Sequence, residues 1–160
     1  GHRAGGTGTV MTPKKSAIIQ LLAEHVSDIE AATDWLKRTY AQCGDLIRKE
    51  VFSVEDFDHI ELLTSRFSRV CDMLINKVYR SIDRAELNSP GTLIDVLNRC
   101  EKRGIIDSVD QVRELKELRN QIVHEYANEV LPVLFRDLYK QTPRLIDLVE
   151  RAIRYARQVH

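Results

Sequence analysis

Between Arg119 and Tyr126 the chain reads RNQIVHEY, and four of these side chains can do chemistry. Arg119 is a permanent cation whose planar fork of donors fits a phosphate. His124, if solvated, titrates near neutrality, so it can take a proton from one group and deliver it to another. Asn120 both donates and accepts, and Tyr126 brings a phenol. RNA carries its own nucleophile, the ribose 2′-hydroxyl. Cutting it needs a base, an acid and a cation at the crowded phosphorus, but no metal. Arginine and histidine supply that set.

The helical period tests whether they can act together. At about 100° per residue, Leu115, Leu118 and Ile122 fall on one side, near roughly 290° when Arg119 is set at zero. They predict the core face. Tyr126 lies almost on the line of Arg119, at the border of that face. Asn120 and His124 point outward, and Arg113 and Glu117 extend the outward stripe. Arg119 and His124 diverge by more than a third of a turn, so one copy of the helix cannot converge them. Two copies packed face to face would gather two arginines and two histidines around one cleft, which predicts a homodimer. The same residues also fit a solvated face, with Arg113 and Glu117 as an i,i+4 pair and Tyr126 half-burying its ring. Spacing alone leaves both readings open.

The elements that must hold this stretch are helical. Thr12 and Pro13 predict a helix start, with apolar spacing through Leu36 and a break at Gly44. Ser53 and Asp56 predict a capping box, and Ile60, Leu63, Phe67, Val70, Leu74 and Val78 mark one long amphipathic helix to about residue 87. NSPG breaks the chain, Thr92 caps a short helix, and Gly104 closes it. Ser108 and Gln111 predict another capping box, opening a helix from Val109 to about Asn128. A last helix follows, kinked at Thr142–Pro143. The fold class expected is all-α: an antiparallel up-and-down four-helix bundle with an additional short helix. Residues 12–160 form its single domain, and residues 1–11 are expected to be a disordered tail, partly a cloning remnant.

Composition narrows the function. The 160 residues carry 24 Lys and Arg against 24 Asp and Glu, and only 7 Gly and 4 Pro. Zero net charge leaves no broad field for nucleic acid, so any such contact must come from a local cluster or a dimer groove. Cys43, Cys71 and Cys100 stand apart without a C-x-x-C pair, which points to buried reduced thiols and a cytoplasmic setting. No apolar run is long enough to span a bilayer, so no membrane is expected. A di-metal bundle needs E-x-x-H on two helices. The nearest approach, DFDH at Asp56–His59, occurs once, so neither metal nor cofactor is expected. His25 and His59 read as solvated. Arg151, Arg154 and Arg157 fit a helix-end charge pattern or a guide for RNA.

RNQIVHEY fits R-x4-H-x-Y, with Arg119, His124 and Tyr126 at the defining positions and the polar Asn120 after the arginine. In this motif, and in its place on the penultimate major helix, the chain resembles the HEPN superfamily, specifically HepT-like toxins of toxin–antitoxin pairs. The resemblance covers Val51 to the C-terminus; Ala127, where an aromatic is common, and a long region before Ser53 depart from it. It implies a metal-independent endoribonuclease whose composite site forms across a homodimer. Arg119 would bind the scissile phosphate, His124 would act as general base or acid, and Asn120 would orient phosphate or histidine. Tyr126 would be the residue to which a nucleotidyltransferase antitoxin attaches AMP. The alternative is a non-catalytic helical partner or substrate-binding subunit of a small nucleotidyltransferase.

Overall fold

The structure, a computed structural model, describes residues 12–86, 88–125 and 131–160, and the side chains of all of these except 123–125 and 131. The expected tail 1–11, Tyr126 and the helix end expected near Asn128 lie outside that range. Every regular element among the described residues is helical: α1 (Pro13–Gln42), α2 (Val54–Met73), α3 (Tyr79–Ala85), α4 (Leu93–Lys102), α5 (Val109–Glu125) and α6 (Leu131–Ala156), with a 3-10 turn at Leu46–Arg48. None of them is long and apolar enough to cross a membrane.

Local chemistry sets most of the boundaries. Thr12 Oγ1 accepts from the Lys15 N–H at 3.1 Å, and Pro13 opens α1 where a missing N–H costs nothing. The Ser53–Asp56 capping box is formed, and Lys49 Nζ adds a 2.8 Å bond to the Asp56 carboxylate. Hydrogen bonds to Lys49 and Ser53 hold that carboxyl below its usual range. Thr92 forms a capping box with Asp95 at the start of α4, and Gly104 ends that segment at φ 74°. At the start of α5 the expected partner of Ser108 is replaced. Ser108 Oγ accepts from the Asp110 N–H at 3.1 Å, and Glu101, from the preceding helix, accepts from Val109 N–H at 2.9 Å. α6 runs through Pro143 as one element, with Thr142 Oγ1 donating to Leu138 O at 2.7 Å.

The one long helix expected from Ser53 contains a π-helical turn, Leu74–Val78, between α2 and α3. Val70, Leu74, Val78 and Ile82 are all buried, yet they step by four each time. In a regular α-helix each step of four overshoots a turn by about 40°. The wider π turn takes up that drift and keeps the row facing inward.

Cross-contacts give the helix directions. Thr39 meets Arg66, and His25 meets Ser81, so α1 runs against α2 and α3. Lys37–Glu150 and Glu30–Arg157 set α6 against α1 as well. α5 begins beside Arg151 of α6, which bonds Gly104 O and Asp107, and it ends shortly before α6 starts. The core between them holds Phe67, Tyr79, Phe135 and an aliphatic shell. Asp83 is buried within it and bonded by Arg99 at 2.7 and 2.6 Å and by Arg103 at 2.9 Å, which ties α3 to α4.

Candidate functional site

The phase of α5 is fixed by what it buries. Leu115, Leu118 and Ile122 are the inward residues, as their spacing predicts, packed against the core that α2 and α6 share. Each contributes about 1.5–3 kcal/mol of burial. Arg113, Lys116, Glu117 and Asn120 are exposed as a consequence, and Arg119 sits half-buried at the edge.

At that edge Arg119 meets Asp72 of α2. Its Nε lies 3.0 and 3.1 Å from the two carboxylate oxygens, and its Nη2 donates to Oδ2 at 2.9 Å. The bond to Asp72 pushes the guanidinium pKa up, against a smaller downward push from burial. Arg119 therefore stays a cation at any working pH. An arginine has five N–H donors. Asp72 takes the Nε–Nη2 edge, so the Nη1 hydrogens and the second Nη2 hydrogen make a second fork. No described residue bonds Nη1 of Arg119. The carboxylate thus orients the guanidinium, and among the described residues the second edge keeps the donor geometry that suits a phosphate oxygen pair.

That pair borders a cleft of about 190 Å³ lined by Asp72, Ile75, Asn76, Lys116, Arg119 and Asn120, with Cys71 at its floor. Two predicted site residues, Arg119 and Asn120, come together here. His124 belongs to the last turn of α5, but its side chain, like the whole of Tyr126, lies outside the described residues. Asp72, Asn76 and Lys116 are additions that sequence reasoning missed. The signal for Asp72 was its setting, a carboxylate between the buried Cys71 and Leu74. Such a border position asks for a partner.

Other candidates fall away on geometry. Among the described residues no three His, Cys, Asp or Glu side chains are placed to hold a metal ion. His59 bonds the Glu55 carbonyl on its own helix. His25 departs from the solvated reading: it is partly buried and bonded to Ser81, with its pKa lowered by burial and then by Lys77. Burial pushes the Cys43 thiol up to about 11 and the Cys71 and Cys100 thiols up to about 12, so none is a ready nucleophile. Of the three C-terminal arginines, Arg151 holds Gly104 O and Asp107, and Arg157 holds Glu30. Those two are structural ties, and only Arg154 remains for the guiding role. Compared with models of protein families, with curated proteins and with solved structures, the chain matches none.

Proposed function

We propose that this chain is a metal-independent endoribonuclease of the HEPN type, similar to HepT toxins, acting as a homodimer in the cytoplasm. On this reading its helices make an antiparallel up-and-down four-helix bundle with α4 as the short addition. The observation that carries the proposal is the Arg119 guanidinium, fixed on one edge by Asp72, with no hydrogen bond to the other edge among the described residues, at the border of a cleft that Lys116 and Asn120 also line. A held but half-free arginine is suited to steady charge that builds at a phosphorus centre, because no reorganisation is needed at the moment of reaction.

In this mechanism the 2′-hydroxyl attacks the adjacent phosphorus and the 5′-oxygen leaves. His124 removes the 2′-proton or protonates the leaving oxygen, the second histidine of the dimer taking the complementary role. The free edge of Arg119 and the Asn120 amide hold the non-bridging oxygens. The products are a 2′,3′-cyclic phosphate and a 5′-hydroxyl. Tyr126 is the point of control: adenylate attached there by a nucleotidyltransferase antitoxin adds bulk and negative charge that compete with RNA phosphate.

One observation favours the alternative, a non-catalytic partner of a small nucleotidyltransferase. Asp72 neutralises the charge of Arg119, as it would in a purely structural pair. One experiment separates the two: incubation of a labelled RNA pool with wild-type and His124→Ala protein in EDTA, followed by end analysis. Cleavage that survives the chelator, leaves cyclic phosphate ends and disappears in the variant supports the nuclease. No cleavage by folded, unmodified, dimeric protein favours the partner.

A further inference from the structure

The protein has a single tryptophan, Trp35, and the fold leaves it 54% exposed on α1. A lone exposed apolar side chain is ordinary on a protein surface, so this indole takes its meaning from what lies around it. Its surroundings are cationic. The Arg66 guanidinium carbon lies 4.9 Å from the ring centre and that of Arg38 lies 5.9 Å away. Arg66 is itself held, donating to the Trp35 carbonyl at 3.3 Å and to the Thr39 hydroxyl, which in turn bonds the same carbonyl at 3.0 Å. The indole is therefore backed by a guanidinium that is itself held in place.

From the indole a groove leads to Arg119. A cleft of about 550 Å³ between α1 and α2 is bordered by Asp28, Trp35, Arg66, Arg69, Met73 and Lys77. Arg69, Met73 and Lys77 also border the next cleft, about 490 Å³, which reaches Asp72, Asn76 and Arg119. Asp72, Asn76 and Arg119 in turn border the candidate site. Along this path four cations, Arg66, Arg69, Lys77 and Arg119, face two carboxylates, Asp28 and Asp72. Arg69 and Lys77 are exposed and have no ion-pair partner within 4.0 Å among the described residues. On a chain of zero net charge this is a local positive track with an aromatic at its far end. From Arg66 to Asp72 the helix rises roughly 9 Å, between two and three stacked nucleotide steps at about 3.4 Å each.

We infer that this groove binds single-stranded RNA, one base stacked on Trp35 and the following phosphates on Arg69 and Lys77, delivering the strand to Arg119. Stacking on an indole is indifferent to sequence, and basic side chains spaced along the groove hold the backbone. A protein partner would want Trp and Arg in an apolar, desolvated centre. Here two guanidinium groups lie over the indole, and among the described residues Met73 is the one other large apolar side chain beside the charged and polar residues that border the path. The inference takes its ligand class from the nuclease reading, and the test keeps the two apart.

The test uses the full chain and a short 2′-O-methyl oligoribonucleotide, which can bind but cannot be cut. Because Trp35 is the sole tryptophan, its emission reports this place alone. The expected result is quenching on titration of the wild type and, read by anisotropy of a labelled strand, an affinity lowered between about 5-fold and 150-fold by Trp35→Ala. Trp35→Phe should restore most of it. Arg69→Ala with Lys77→Ala should flatten the salt dependence, reducing the slope of log affinity against log salt by about 1.4. Unquenched emission at saturation, or unchanged affinity in Trp35→Ala, overturns the inference. If unmodified RNA is nonetheless cleaved, the nuclease reading survives that failure. Quenching without any cleavage of unmodified RNA supports the groove and counts against the nuclease. Loss of dimer with unchanged RNA affinity in Trp35→Ala assigns the indole to a protein interface and overturns the inference.

Discussion

Replacing Asp72 with asparagine separates the two things its carboxylate does to Arg119: it orients the guanidinium and it neutralises it. The stability cost should be small. The Asp72 side chain is 44% exposed and that of Arg119 23%, and a pair so open to water contributes less than about 1 kcal/mol. The amide can still accept from Nε–H, so the fold should hold. Electrostatics in the groove change more. A carboxylate some 6–7 Å from a bound phosphate, in a half-exposed setting, repels it by on the order of 1 kcal/mol. Its removal should tighten binding of a non-cleavable RNA by roughly fivefold. Arg119 then counts as a full cation, so the salt slope should steepen by about 0.7. Cleavage should move the other way, because the open edge of Arg119 is no longer aimed; a loss of tenfold or more in single-turnover rate is expected, given that about 1 Å of misplacement can cost 10²-fold. Tighter binding with slower chemistry is the signature. Weaker RNA binding by folded Asp72→Asn protein would refute the assignment of Arg119 as a phosphate contact.

Two further outcomes concern the scaffold. Burial pushes the Asp83 carboxyl up, but its bonds to Arg99 and Arg103 outweigh that and leave it below its ordinary value; its stabilisation is therefore complete above about pH 4 and lost as pH falls through the lower folded value. Asp83→Asn should cost on the order of 3 kcal/mol at neutral pH, roughly 6–12 °C in Tm, and shrink the gap between melts at pH 7 and pH 3, whereas an unchanged gap would show that other carboxylates govern acid unfolding. The Tyr79 hydroxyl is buried without a hydrogen-bond partner among the described residues, so Tyr79→Phe should leave stability unchanged or raise it by up to about 1 kcal/mol; a Tm loss of several degrees would reveal a partner for the phenol.

What could be read from the sequence was mostly local. Thr12 with Pro13, the Ser53–Asp56 box and the glycine stop at 104 are short-range chemistry, and each stands where it was expected. The inward face of α5 followed from period alone, and with it the outward set of Arg113, Glu117 and Asn120. Pairings across the fold were not legible. Arg119 finds Asp72 across 47 positions, and Asp83 finds Arg99 and Arg103 only because α3 packs on α4. The start of α5 was legible only in part for the same reason: Ser108 caps the Asp110 N–H rather than that of Gln111, and the carboxylate on Val109 N–H comes from Glu101 of the helix before it. The C-terminal arginines fitted a helix-end charge pattern or a guide for RNA, and the actual partners of two of them, on α1 and at the Gly104 turn, are long-range. Trp35 drew no attention in the sequence because nothing local distinguishes an exposed tryptophan from a buried one.

The π turn at Leu74–Val78 gives the helix that contains it two independent phase settings. Upstream, Arg66, Arg69 and Asp72 are aimed at the groove; downstream, Tyr79, Ile82 and Asp83 are aimed at the core. In an uninterrupted α-helix those two sets would be geared together, and any insertion or deletion on one side would rotate the other by about 100°. The wide turn works as a slip joint. A residue gained or lost there can be absorbed between a regular turn and a wide one, so a change of length need not turn the buried rows out of the core on either side, Phe67 and Val70 before the joint or Tyr79 and Ile82 after it.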